Sequence, residues 1–405
     1  MKCLSLFANV GIGETYFKQI GIDVVVANEL LVDRAEFYKE MHPDCAMVGG
    51  EEYRQFPDAT TEKERNLGAD ITDPTIFSEI IEKSQQANVD FIMATPPCQG
   101  MSVAHAKRAD KNDPRNSLIK QVVRATKELK PKYVLIENVP GMASEKTFIL
   151  DDDGARINIM PYVEKVLGEE YILRHHVLDA VDYATPHHRK RLITLLSRRD
   201  CPEWYHPNKF DIAEFTVEDV IGDLPSLEPG EDSPIKWHSM KHKHLAARHV
   251  HWMRHTPTGQ TAFDNEIWCP CTTEKVKVEG YDEEVEISRK IKGFRSTYKR
   301  MHWDRPAPTV TMMNGSINSQ NNVHPGRERE DGTFSDARVL TIKELCAIIG
   351  LPLDWVDHLE HTPQQENFLR RVLGECFPPM MAKAIVSNIP KQKEMSYGEN
   401  RARNQ

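Results

Sequence analysis

Apolar residues in the first 200 positions fall into short continuous runs, and polar residues gather where those runs end. The runs at 2–8, 23–27, 89–94, 133–136 and 191–196 are short and mostly rich in β-branched or aromatic side chains, which predicts buried strands. Segments 15–20 and 34–41, and the stretches between the later runs, carry helical patterning. Strands alternating with helices in this way predict an α/β fold built on a parallel, doubly wound sheet. Beyond Arg199 prolines become frequent, charges cluster and the alternation stops until about Thr341, which predicts a smaller, loop-rich second domain. Helical patterning returns at 342–349 and 379–389, and the polar tail at 391–405 predicts a frayed end. The expected division is 1–202, 203–345, a hinge and return at 346–390, and the tail. No internal repeat or low-complexity tract interrupts it.

Composition narrows the class. A chain of 405 residues, 40% hydrophobic and 28% charged, is that of a soluble globular protein with a large core. No apolar run reaches membrane-spanning length, residues 1–7 lack a signal-peptide architecture, and eight scattered cysteines suit a reducing compartment. These features predict a cytoplasmic protein without a membrane partner. Cys269 and Cys271 flank Pro270, too little to predict a metal site. The net charge of −9 says little about nucleic acid, because phosphate contact needs only one basic face. Residues 236–255 hold three lysines, two arginines and six histidines around Trp237 and Trp252; Arg289, Lys290, Lys292, Arg295, Lys299 and Arg300 follow. Solvated faces also produce such runs, but two of them with interleaved aromatics predict a nucleic-acid surface.

Candidate chemistry sits at the ends of the predicted strands, where doubly wound sheets bind ligands. Thr95-Pro96-Pro97-Cys98-Gln99-Gly100 follows the run at 89–94, so prolines fix the backbone before one thiol and a glycine frees it after. Cys98 is a candidate nucleophile; the alternative is a small buried residue ending a strand. Phe7-Ala8-Asn9-Val10-Gly11-Ile12-Gly13 forms a glycine-containing turn suited to a nucleoside-bearing cofactor, and Glu29, about twenty residues on, stands where an acid meets ribose hydroxyls. Asp70 and Ile71 are a further candidate contact, against the alternative of a helix N-cap at Thr72 or Asp73. Glu137, ending the run at 133–136, pairs in role with Cys98 as the acid, or else caps the next turn. Arg189 and Arg191, alternating on an extended segment, point two guanidiniums to one side, toward an anion or polar ring.

In this order the segments resemble the cytosine-C5 DNA methyltransferase family, of bacterial restriction-modification type, over nearly the whole chain. The resemblance rests on Pro96-Pro97-Cys98-Gln99, Glu137-Asn138-Val139, Arg189-x-Arg191, Pro306-x-Pro308-Thr309-Val310, Arg338-Val339-Leu340-Thr341-x-x-Glu344 and Gly374. It implies a Rossmann-like methyltransferase sheet with a target-recognition domain inserted before the C-terminal helices, and S-adenosyl-L-methionine as cofactor. It implies that Cys98 attacks C6 of a cytosine flipped out of double-stranded DNA, that Glu137 protonates N3, and that Arg189 or Arg191 holds O2. It places the cofactor on Phe7, Asn9, Gly11, Gly13, Glu29, Asp70, Ile71, Pro96 and Glu375. Residues 100–118 resemble the family's loop that closes over the base, and a partner restriction endonuclease and a monomeric state go with the type.

Three positions depart from the family's pattern. Its first turn reads Phe-x-Gly-x-Gly-Gly, so the turn at 7–13 aligns in more than one register. His187 stands for glutamine before the arginines, and Glu375 for asparagine after Gly374; the expectation for Glu375 is that it faces the cofactor's ammonium or a lysine. The competing readings are a tRNA-methylating member of the same family, a silent DNA-binding relative, and a dinucleotide oxidoreductase. The last leaves the Pro-Pro-Cys-Gln segment without a role.

Overall fold

The computed structural model describes residues 1–97, 114–265, 274–282, 284–287, 291 and 293–391. Cys98, residues 100–113 of the expected closing loop, Cys269, Cys271, Arg289, Lys290, Lys292 and nearly all of the tail lie outside them.

In the first half, strands β1 (Lys2–Leu6), β2 (Asp23–Asn28), β3 (Ala46–Val48), β4 (Phe91–Ala94) and β5 (Tyr133–Asn138) alternate with helices α1 (Val32–Met41), α2 (Glu62–Arg65), α3 (Pro74–Ala87) and α4 (Ile119–Leu129). A small hairpin of β6 (Phe148–Leu150) and β7 (Arg156–Asn158) precedes α5 (Ile159–Leu167), then β8 (Tyr171–Asp179) and β9 (Lys190–Arg198). The main sheet has seven strands in the order β3-β2-β1-β4-β5-β9-β8. Its α/β architecture is the expected one, with one correction: β9 runs antiparallel to both neighbours, so the sheet is mixed rather than wholly parallel. The reason is the connection: residues 180–189 turn β8 straight back into β9, whereas a parallel return needs a longer crossover.

Both sheet faces are buried, as continuous apolar runs require. Leu4, Leu6, Ile92, Ala94, Val134 and Ile136 face a core shared with Phe77 and Ile80 of α3, Val122 of α4 and Val163 of α5. The alternate residues Cys3, Phe91, Met93, Tyr133 and Leu135 face Trp204 and, from the far end of the chain, Met381 and Ile385. A second correction concerns 15–20: it is not an α-helix but a series of turns closing in a short 3-10 helix, Lys18–Ile20. Gly21, at a φ of 79°, ends it after one turn, and its bonds are of the tight i to i−3 kind.

The middle of the chain is loop-rich, with α6 (Val217–Ile221), α7 (Ala247–Arg254) and a hairpin of β10 (Glu274–Lys277) and β11 (Glu284–Ile287). It has its own apolar cluster, including Met240, Val250, Met253, Ile317, Val323 and Val339. The basic clusters expected to face nucleic acid divide between interior and surface. Trp237, Trp252, His238, Arg254 and Arg300 are buried. The Arg300 guanidinium donates to the carbonyls of Met253, His324, Ser335 and Asp336, which makes it a backbone clasp. Lys236, Lys241, His244, Arg248 and Arg295 are exposed, and most of the other described basic residues are half-buried.

The chain ends in α8 (Ile342–Ile349), α9 (Pro363–Glu375) and α10 (Pro379–Ser387). The expected 345/346 boundary falls inside α8, and α9 was not anticipated, although Thr362 before Pro363 is a good helix start. The Arg-x-x-Thr-x-x-Glu motif is the joint of this region. Thr341 and Glu344 form a capping box on α8. Glu344 also takes Arg338 in two bonds of 2.8 and 2.9 Å, Asp336 takes it at 2.7 Å, and all three are buried. Removing one partner leaves charge buried without its counter-charge, so Glu344→Gln should lower unfolding free energy by about 3–5 kcal/mol in urea titrations.

Candidate active site

Four loops meet at the carboxyl edge of the sheet. The first follows β1, where Phe7, Asn9 and Gly11 have φ of 58°, 51° and 76°. Asparagine tolerates the left-handed region better than most residues, which lets Asn9 share that conformation with Gly11. A Cβ on Gly11 would strike the His42 ring. The Asn9 amide donates to Glu29 (2.9 Å), and the Leu31 amide donates to the other oxygen of the same carboxylate (2.9 Å). Burial raises the Glu29 pKa, opposed chiefly by the charge of Arg34. Asn9 Oδ1 is buried and has no hydrogen-bond partner among the described residues.

Asn28, ending β2, donates to the carbonyls of Val48 and Ala69 and so draws the 69–71 loop beside Glu29. There Asp70 accepts from the Thr72 amide and hydroxyl (both 2.8 Å), Ile71 is buried in the core, and Asp73 is the N-cap of α3. The helix-cap alternative is thus realised at Asp73, one turn beyond Asp70.

Beyond β4 the backbone is strapped on both sides before it reaches position 98. The Thr95 hydroxyl donates to the Phe7 carbonyl (2.8 Å), and Asn138 at the end of β5 donates to the Pro96 carbonyl (3.0 Å). Next to Asn138, the buried Glu137 accepts from Arg191 Nε at 2.6 Å. Burial raises the Glu137 pKa, and Arg191 and Arg189 pull it back. Glu137 does not cap the following turn, because Asn138 takes the Val139 amide.

The two arginines have different jobs. Arg189 donates to the carbonyls of Val310 (3.0 Å) and Gly374 (3.1 Å), joining β9 to the Pro-x-Pro-Thr-Val segment and to α9. His187 Nε2 accepts from the Val310 amide (2.8 Å), so this histidine is a structural acceptor. Burial, with the arginines nearby, holds its pKa well below the usual value. Glu375, expected to face the cofactor's ammonium or a lysine, pairs with Arg34 of α1 at 2.6 Å. Asn28 and Arg34 were not singled out from the sequence, and Asn138 entered only as part of the Glu137-Asn138-Val139 motif; a polar residue closing an apolar run was the available signal for the two asparagines.

The architecture is the Rossmann-like methyltransferase fold. A solved structure of a candidate DNA modification methyltransferase encoded within an E. coli prophage superposes with a TM-score of 0.59 at 18% identity, covering 96% of this chain and 98% of its own. DNMT2 of Spodoptera frugiperda superposes with a TM-score of 0.55 at 14% identity, covering 96% and 99%. Residues 1–391 match the family model for C-5 cytosine-specific DNA methylases, and the chain belongs to that family. The Type II methyltransferase M1.HgaI of Avibacterium volantium is 41% identical over 389 residues, 95% of this chain and 97% of the relative. M1.HphI of Haemophilus parahaemolyticus is 27% identical over 390 residues, 96% and 86%.

Two consequences can be measured. A Cβ on Gly374 would strike the Thr311–Met312 backbone, so Gly374→Ala should cost about 1–3 kcal/mol by calorimetry and loosen the Arg189 clamp. Beneath the first turn, Glu14 is buried against the Ser5 hydroxyl, and burial raises its pKa from 4.5 to about 7. The folded state therefore keeps this proton longer than the unfolded chain. Its stabilisation is full below about pH 4.5 and disappears as pH rises to about 7. Glu14→Gln should flatten that fall and be more stable than wild type at pH 8 by roughly 1–3 kcal/mol in urea titrations.

Proposed function

We propose that the protein is a sequence-specific, S-adenosylmethionine-dependent DNA (cytosine-5-)-methyltransferase with Cys98 as nucleophile. The observation that carries this reading is the buried Glu137–Arg191 pair at the end of β5, beside the strapped backbone that leads to Cys98 from β4. Cytosine C5 is a weak nucleophile within an aromatic ring. Addition of the Cys98 thiolate to C6 breaks the aromaticity and pushes electron density to C5. Glu137 delivers a proton to N3 as charge develops there, and its raised pKa suits an acid that must hold that proton in the ground state. Arg191 orients Glu137 and, with its guanidinium beside the ring, holds O2. Arg189 is assigned to the frame, since Val310 and Gly374 take its guanidinium. Loss of the C5 proton then re-forms the double bond and expels the cysteine.

The first turn fits a nucleoside-bearing cofactor. Asn9 Oδ1 is a buried acceptor in want of a donor, and Glu29 keeps acceptor capacity beyond its two amide bonds. Phe7, Asn9, Gly11, Gly13, Glu29, Asp70, Ile71 and Pro96 would line its site. When bound, S-adenosylmethionine supplies the electrophilic methyl group that C5 accepts. The target atom is out of reach in a stacked duplex, so the base is flipped. The segment from 203 to the start of α8 reads the sequence, and 100–118 closes over the base. Relatives of Type II support pairing with a restriction endonuclease, and the protein acts as a cytoplasmic monomer at the nucleoid.

The test is transfer of a radiolabelled methyl group onto duplex DNA and tRNA in parallel. Wild type is expected to label DNA, and Cys98→Ala to lose on the order of a thousandfold or more. Label confined to tRNA, or undiminished in the variant, would sink the reading.

A further inference from the structure

The peptide unit between Phe7 and Ala8 is held at both ends. Its N–H donates to the Asn28 carbonyl at the end of β2 (3.0 Å), and its C=O accepts from the Thr95 hydroxyl (2.8 Å). Phe7 has a φ of 58°, a left-handed conformation that a bulky side chain rarely adopts and that persists only where the surroundings over-determine it. Thr95 stands one residue past β4, and its own amide donates to the Leu6 carbonyl (3.1 Å), extending the β1–β4 ladder by one rung. Beyond that rung the two chains part. β1 runs into the first turn, and β4 runs to Cys98 through two prolines, which have no N–H to give. Among the described residues, the Thr95 hydroxyl is the one hydrogen bond past the ladder that ties the segment before Cys98 to the first turn. The next carbonyl, that of Pro96, is held from the other side by Asn138 of β5 (3.0 Å).

We propose that Thr95 is a positioning residue that sets the first turn in register with the segment leading to Cys98, so that methyl transfer depends on its hydroxyl more than attack by the cysteine does. This rests on the reading of Cys98 and of the first turn given above. Attack needs only Cys98, Glu137 and the base: the thiolate bonds to C6, and the electron pair displaced through the ring is taken up at N3 with the proton from Glu137. Transfer needs more. The electron pair at C5 forms a bond to the methyl carbon while the carbon–sulfur bond breaks and its pair stays on sulfur. Base and donor must therefore be aligned, and a misplacement of about 1 Å costs on the order of 100-fold. One loop places the nucleophile, the other places the donor, and the Thr95 hydroxyl joins the two. A threonine kept only to fill this corner would be replaced without loss by valine, which has nearly the same shape and no hydroxyl.

The experiment compares two reactions of the full chain on duplex DNA that carries tritium at cytosine C5. Release of tritium to water without cofactor reports attack, because the adduct takes a proton at C5 and gives up the label before the cysteine leaves. Transfer of a carbon-labelled methyl group from saturating S-adenosylmethionine reports alignment. Thr95→Val is expected to release tritium within about 3-fold of wild type, yet to transfer methyl groups about 30- to 100-fold more slowly. Its calorimetric binding of S-adenosylhomocysteine should stay within about 5-fold of wild type, which shows that the site still fills. Thr95→Ser keeps the hydroxyl and should recover transfer to within about 3-fold. Equal losses in both reactions, no loss in either, lost binding, or a serine variant that behaves as the valine one would each overturn the proposal. So would a wild type that transfers methyl groups but releases no tritium without cofactor. If Thr95→Val does not fold, the ratio of transfer to release in Thr95→Ala decides by the same criterion. Wild type that carries out both reactions, with that ratio unchanged in the variants, rejects the inference alone, whereas wild type that carries out neither rejects the methyltransferase reading and the inference with it.

Discussion

The antiparallel insertion of β9 beside β5 is the constraint on which the site depends. In a wholly parallel sheet the chain would leave both strands at the same edge and then turn away into helices. Here β9 enters at the edge where β5 ends, with Asn138 opposite Leu192 and Glu137 opposite Ile193. The residues just before and at the start of β9 are thereby set against the end of β5, and they are the two arginines. One fixes the acid; the other reaches past the sheet to the Val310 and Gly374 carbonyls and closes the C-terminal segments onto the same edge. A hairpin turn of ten residues thus brings together groups from positions 137, 191, 310 and 374.

Three acids near this edge show how surroundings divide one functional group into different roles. Glu14 has the hydroxyls of Ser5 and Tyr38 and no nearby cation among the causes of its shift, and burial leaves it half-protonated near neutrality. Glu29 has two backbone amides and the charge of Arg34, which suit a carboxylate that accepts hydrogen bonds. Glu137 has burial on one side and Arg191 on the other, which suits a group that must give up a proton and take it back. Desolvation raises all three; the number and placement of partners separate them.

Most of the sheet could be read from the chain because buried strands between helices leave continuous apolar runs with polar residues at their ends. The direction of β9 could not, because an apolar run does not say which way it is entered. The pairings that build the site were equally hidden. Arg189 and Arg191 share a motif and looked alike, and only the long-range contacts with Val310 and Gly374 distinguish them. Asp70 and Asp73 are both plausible caps three residues apart, and Pro74 at the first helical position decides for Asp73. Thr341 and Glu344 were noticed as part of a motif, although their spacing is also that of a capping box, a local signal that needs no partner elsewhere.

The middle segment shows why charge in sequence is a poor guide to charge on a surface. Arg254, Arg300 and Arg338 belong to its basic stretches and its motif, yet each is buried and bound to carbonyls or carboxylates. A loop-rich region has few ladders to satisfy its carbonyls, and a planar guanidinium with five donors can satisfy several at once. Arginine there substitutes for secondary structure: Arg300 alone gathers four carbonyls, one from the end of α7 and three from two loop segments. The same economy explains the burial of Trp237, whose indole donates to the Val356 carbonyl and ties the segment to the C-terminal helices. A stiff frame made this way leaves Lys236, Lys241, His244 and Arg248 of the first basic stretch exposed, while the buried residues set the shape from which they project.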